Sequence, residues 1–152
     1  MSDNNCLTIF CQNIRSINRN LDNLMPLFNN TQLPDIIILT ETWLDNDSPL
    51  TVPGFVIYNT VRSGRSGGVS ILVKNSLNSC LIKEHSYAND TIEICSVKIS
   101  NDSSQMIVSG FYRPHSDSIE NFTNSIENIL NANIFRNNSC VLLGEFKINL
   151  FS

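Results

Sequence analysis

The stretch LPDIIILTETWL, residues 33–44, sets four aliphatic residues in a row, Ile36 to Leu39, between a Pro-Asp start and a polar stop. Successive side chains of a strand point to opposite faces, so an unbroken aliphatic run leaves neither face for water. Four residues are also too short for an ordinary helix. The run therefore predicts a strand covered on both sides, which requires a layered fold.

The rest of the chain supplies the layers. Residues 6–12 (CLTIFCQ) alternate and β-branch like a strand. Ile17, Leu21, Leu24 and Phe28 follow at helical spacing, predicting an amphipathic helix over 16–28 that lies on that strand. Further strands are predicted at PGFVIYNT, GGVSILVKN, SCLIKEHS, TIEICSVKI and QMIVSGFYRP, the first two joined by the Gly/Ser/Arg loop 62–68. Asp117 with Glu120 suggests a capping box before a second helix, whose inner face is Ile119, Phe122, Ile126 and Ile129. A last strand is predicted at 139–143. Strand, helix, a run of strands, helix, strand is an α+β or layered α/β order, with two sheets face to face and the helices outside.

A chain of 152 residues is one domain's worth, so residues 1–152 are read as a single domain. No apolar run approaches the roughly 18 residues of a membrane span, and the start shows no secretory signal. The odd number of cysteines, five, and the lack of any C-x-x-C pair point to reduced core thiols in an intracellular protein. A net charge of −4 argues against a nonspecific nucleic-acid coat protein. Arg15, Arg62, Arg65 and Arg113 nevertheless fall at strand ends or loops, where they form a candidate basic rim for a nucleic-acid backbone.

Polar residues gather where strands give way to loops: Asn13 after TIFCQ, Glu41 after IIILT, Tyr112 and Arg113 after IVSGF, and Glu145 after VLLG. In layered α/β proteins such strand ends converge on a ligand crevice. Glu93 shares a strand face with Cys95, Val97 and Ile99, so its carboxylate needs a partner, expected to be a loop or an arginine. The loop RSGRSGG runs into a strand and is no phosphate-binding loop, which requires a helix next.

QNIRSI, PDIIILTETWL, RSGRSGGVSILVKN, FYRPH and VLLGEFKINL, in that order, resemble the endonuclease/exonuclease/phosphatase superfamily, and most of all the endonuclease domains of LINE-type retrotransposons. The resemblance implies a four-layer α/β/β/α sandwich of the deoxyribonuclease I-like kind, with a Mg²⁺ site at one end. It makes Glu41 the metal-binding glutamate and Asn13 the asparagine beside metal and phosphate. Tyr112 takes the position whose hydroxyl bonds a phosphate oxygen.

The family's next motif is Gly-Asp-Phe-Asn, where the aspartate handles the attacking water and the asparagine stabilises phosphate charge. Here the residues are Gly144-Glu145-Phe146-Lys147. Glu145 moves its carboxylate by about an ångström, and Lys147 brings a positive charge toward the metal. The family's later aspartate and Ser-Asp-His ending have no counterpart, and His85 and His115 lie outside any such motif. The expectation is a C-terminally truncated, incomplete and catalytically impaired endonuclease domain with Mg²⁺ weakly bound or lost, and DNA as partner if function remains. Alternatives are a non-catalytic nucleic-acid- or protein-binding fragment, and a weakly active nuclease or phosphodiesterase completed by another chain. Ile148, Leu150 and Phe151 read as residues built to pack under missing elements, so self-association through open sheet edges is expected.

Overall fold

In a computed structural model, the structure describes residues 6–28, 32–45, 50–64 and 66–148. Arg65, Leu150 and Phe151 lie outside these residues. One sheet has the order β1 (Ile9–Asn13), β2 (Ile36–Thr40), β4 (Val69–Lys74), β3 (Phe55–Thr60). The other runs β5 (Asn78–Leu81), β7 (Glu93–Ser100), β8 (Gln105–Tyr112), β9 (Ser139–Glu145), with the short β6 (Tyr87–Ala88) also paired to β7. β1 pairs parallel with β2, and β8 parallel with β9; the other pairings are antiparallel. Each parallel pair is joined through helix. α1 (Ile17–Leu24) and a 3₁₀ turn (Met25–Phe28) connect β1 to β2, and α2 (Ile119–Asn131) with α3 (Asn133–Arg136) connect β8 to β9.

Three apolar clusters fill the spaces between four layers. Between the sheets, Ile36, Ile38, Val69 and Ile71 meet Cys95, Val97, Ile99 and Val108. Behind the first sheet, Ile37, Leu39 and Leu72 pack with Ile17 and Leu24 of α1. Behind the second, Ile94, Ile107 and Phe111 pack with Phe122, Ile129 and Phe135. The aliphatic run thus divides by parity, Ile36 and Ile38 to the central core and Ile37 and Leu39 to α1. All four have zero exposure, as a doubly covered strand requires. The sheets approach closely at Gly110, where a Cβ would sit 2.7 Å from Ile38 Cγ2 and 2.8 Å from Val69 Cγ1.

The fold is the four-layer α/β/β/α sandwich, and several local expectations change. The N-cap of α2 is Ser118, whose hydroxyl accepts from Asn121 N at 3.0 Å. Asp117 instead accepts from Ser118 N and Asn121 Nδ2, both at 2.7 Å, and from the Thr91 hydroxyl. The predicted strand 79–86 ends at Leu81 and turns through a 3₁₀ segment, Lys83–His85. The last strand runs two residues past its predicted end, to Glu145. Only Cys95 is a buried thiol, pushed up to about 12 by desolvation, whereas Cys6 and Cys80 are exposed and Cys11 and Cys140 half-buried. Cys6 precedes β1, and Cys80 sits on the exposed face of β5, an outer strand among the described residues that alternates between exposed and half-buried positions.

Candidate functional site

Strand register brings the predicted residues together. Asn13 pairs with Thr40, which sets it beside Glu41, and Tyr112 pairs with Glu145. Both parallel pairs end at the same end of the sandwich, so four strands deliver their last residues to one place. The loops behind them are zipped by backbone bonds: Ser16 N to Glu41 O (2.8 Å), Ile17 N to Thr42 O (2.9 Å) and Trp43 N to Gly67 O (2.9 Å). Arg15, Ser16, Glu41, Trp43 and Lys147 are all held at positive φ. A non-glycine residue rarely adopts that region without surrounding structure to enforce it, and such strain collects at functional sites.

Lys147 stands at the centre. Its Nζ lies 3.1 Å from Glu41 Oε1, 2.8 Å from the Tyr112 hydroxyl and 3.0 Å from His115 Nε2. Glu145 Oε1 is 3.6 Å away. Tyr112 donates its proton to Glu41 Oε1 at 3.0 Å. Asn13 donates from Nδ2 to Glu145, and its amide also bonds Glu41. An ammonium has three protons and no lone pair, so toward His115 Nε2 it can act only as the donor. Those three protons are matched by Glu41, Tyr112 and His115.

The electrostatics follow. Burial alone would raise the Glu41 pKa, but hydrogen bonds from Asn13, Lys147 and Tyr112 outweigh it and hold the carboxyl below its usual range. Burial would likewise lower Lys147, and its bonds to Tyr112 and Glu41 reverse that, keeping it charged. The Tyr112 phenol is raised by burial, with Glu41 adding to the rise and Lys147 opposing it, so it remains a donor.

The arginines separate. Arg113 is 8% exposed, donating to Asp117 O at 2.7 Å and Lys147 O at 3.2 Å, while its backbone N donates to Glu145 O. It fixes the loop that carries Lys147 and is no free backbone contact. Arg62 is bound to Asp90 (3.2 Å) and to the wholly buried Glu93 (3.4 Å). Arg15 is exposed, and its backbone N donates to Asn13 Oδ1 at 3.2 Å. Glu93 also accepts from Gly68 N at 2.5 Å, so it clasps Arg62 and Gly68 together.

His115, which lies outside the family's histidine motif, also joins this network; its place three positions beyond Tyr112 was the available signal. Sequence reasoning missed Trp43, 37% exposed beside Glu41 on the rim.

The resemblance implies a divalent cation at Glu41, and the residues present do not suit one. A hard cation takes carboxylate oxygens, and Glu41 Oε1 already faces an ammonium 3.1 Å away and a phenol proton. No cluster of three or more His, Cys, Asp or Glu placed to hold a metal exists among the described residues.

The profile of the Endonuclease/Exonuclease/phosphatase family matches residues 11–144. No curated protein matches the sequence. Among solved structures, the endonuclease domain of TRAS1, a telomere-specific non-LTR retrotransposon, superposes with a TM-score of 0.70 at 13% identity. That match covers 91% of this chain and 59% of that one. The 3′-5′ exonuclease NExo from Neisseria meningitidis gives 0.61 at 19% identity, over 93% and 58%. TDP2 from D. rerio, solved with a single-strand DNA product, gives 0.58 at 12%, over 94% and 61%. The chain therefore spans about three fifths of the length of these structures, and at such identities the likeness establishes the fold.

Proposed function

The chain belongs to the endonuclease/exonuclease/phosphatase family, and from that premise we propose that it is a retroelement-type endonuclease domain whose strand-end centre faces DNA without supporting magnesium-assisted phosphodiester cleavage. One observation carries the reading: the Lys147 ammonium, 3.1 Å from Glu41, takes the carboxylate that such cleavage needs. Glu145 adds to it, because a carboxylate displaced by about an ångström costs on the order of a hundredfold in rate. DNA as partner is supported by the likeness to TDP2 from D. rerio, which was solved with a single-strand DNA product, and by the exposed Arg15 beside the site. The free thiols of all five cysteines accord with a reducing compartment.

A plasmid-nicking assay in Mg²⁺ tests the proposal, with background cleavage expected. Robust nicking that disappears in Glu41→Ala protein overturns it.

A second reading, weak cleavage completed by another chain, is favoured by the convergence of Asn13, Glu41, Tyr112 and Glu145 in one network. β1 and β9 are the outer strands of their sheets among the described residues, and such edges accept a further strand from a second copy or a partner. Size-exclusion chromatography at increasing concentration checks for that association, and nicking that rises with it would favour this second reading.

A further inference from the structure

We propose that Lys147 is a built-in replacement for the divalent cation: its ammonium neutralises and organises the strand-end centre, which is therefore assembled without metal and closed to Mg²⁺. Lys147 Nζ lies within hydrogen-bond distance of Glu41, Tyr112 and His115, and 3.6 Å from Glu145. These groups come from the ends of β2, β8 and β9 and from the loop after β8, so one tethered charge holds three strand ends together. Without it, Glu41 and Glu145, both bonded to the amide of Asn13, would keep only the neutral donors Asn13 and Tyr112 beside their charges.

The charge is held in place from behind. Arg113, itself buried, grips the Lys147 carbonyl at 3.2 Å, and the Lys147 backbone sits at φ 49°. A lysine merely swung in from the surface would need neither. The side chain is 15% exposed, and Glu41 14%, so bulk water does little of the neutralising. Each ammonium proton has an acceptor, and a Mg²⁺ ion could reach Glu41 only by expelling the charge already there. That expulsion leaves the ammonium unpaired, and its tether keeps it beside Glu41 as a standing competitor.

The inference concerns the same centre as the cleavage proposal, but its readouts are melting and metal binding, so the two fail separately. Thermal unfolding of the whole chain is compared in EDTA and in millimolar MgCl₂, alongside Lys147→Met, which keeps an unbranched side chain one atom shorter and removes its charge. The wild-type protein should melt at the same temperature in both. Lys147→Met should melt lower in EDTA and recover with Mg²⁺, binding it about tenfold or more tighter than wild type by calorimetry. A Mg²⁺-dependent rise in the wild-type melting temperature that vanishes in Glu41→Gln overturns the proposal. So does a Lys147→Met protein as stable in EDTA as wild type. If Lys147→Met folds in neither buffer, Mn²⁺ added to wild-type protein decides. Paramagnetic broadening of Tyr112 and Glu41 resonances at submillimolar Mn²⁺ overturns the proposal, and its absence supports it.

Discussion

Gly67 lies against the carboxylate of the fully buried Glu93, so closely that a Cβ there would meet Oε2 at 2.7 Å. The same carboxylate accepts from Gly68 N, and Gly67 O accepts from Trp43 N in the loop that carries Glu41. Gly67 and Gly68 are thereby clamped between a buried charge and the candidate site. Gly67→Ala adds collision to the strain of its φ of +88° and should cost about 2–4 kcal/mol. Gly54, at φ +86° with nothing within 4 Å of its Cβ position, should cost only about 1 kcal/mol when changed to Ala. Denaturant unfolding of the two variants measures the difference, and equal losses would refute the clamp.

The arginines should divide by function. Arg62→Ala leaves Glu93 buried with its one remaining partner at Gly68, so it should destabilise the protein by about 2–4 kcal/mol. Arg15→Ala should leave stability within about 0.5 kcal/mol, because Arg15 is exposed. If DNA binds at this rim, Arg15→Ala weakens it and lowers the salt slope by about 0.9. Fluorescence anisotropy with a short duplex at several salt concentrations is the check; an unchanged slope would remove Arg15 from the interface.

Asp35 should give the fold an acid-sensitive joint. Its carboxylate takes Lys74 Nζ at 2.8 Å and both the backbone N and hydroxyl of Thr8 at 2.9 Å, tying the approach to β1 to β2 and β4. Burial opposes ionisation, yet these bonds outweigh it and hold the pKa below the usual aspartate range. A depressed folded-state pKa contributes stability above the unfolded value of about 3.9, and that contribution fades as pH falls through the folded value. Asp35→Asn should therefore cost about 1–2 kcal/mol at neutral pH and progressively less below pH ~4. Urea titrations at pH 7 and pH 3 compare the two; a constant difference would count against the ion pair.

Ser118, with its side-chain bond to Asn121 N, caps α2, and Ser118→Ala should cost about 1 kcal/mol. Glu120→Ala should cost less than about 0.5 kcal/mol, since the capping-box partner is not used. Thermal denaturation of both proteins reads this directly, and the reverse ranking would reinstate the capping box.

The sandwich was legible in the sequence because burial leaves a periodic trace. Four aliphatics at Ile36–Leu39 demand two covering layers, and Ile17, Leu21 and Leu24 supply the helical face for one of them. Strand ends were legible for the same reason: Asn13, Glu41, Tyr112 and Glu145 each stand where an apolar run stops. Convergence at a common end followed from that pattern, and the register of β1 with β2 and of β8 with β9 realises it.

Partner choice was decided only in three dimensions. Composition offered several arginines as a basic rim, yet Arg62 and Arg113 are consumed by a buried carboxylate and by loop carbonyls, leaving Arg15 exposed. Lys147 and Glu41, 106 positions apart, could be read as neighbours of one site, but not as an ion pair whose remaining protons go to Tyr112 and His115. The physical reason is range. Hydrophobic periodicity is a local property of a few consecutive residues, written wherever an element is buried. A charge finds its partner by distance and desolvation across the assembled fold, and nothing in the neighbouring sequence encodes which of several carboxylates will lie 3 Å away.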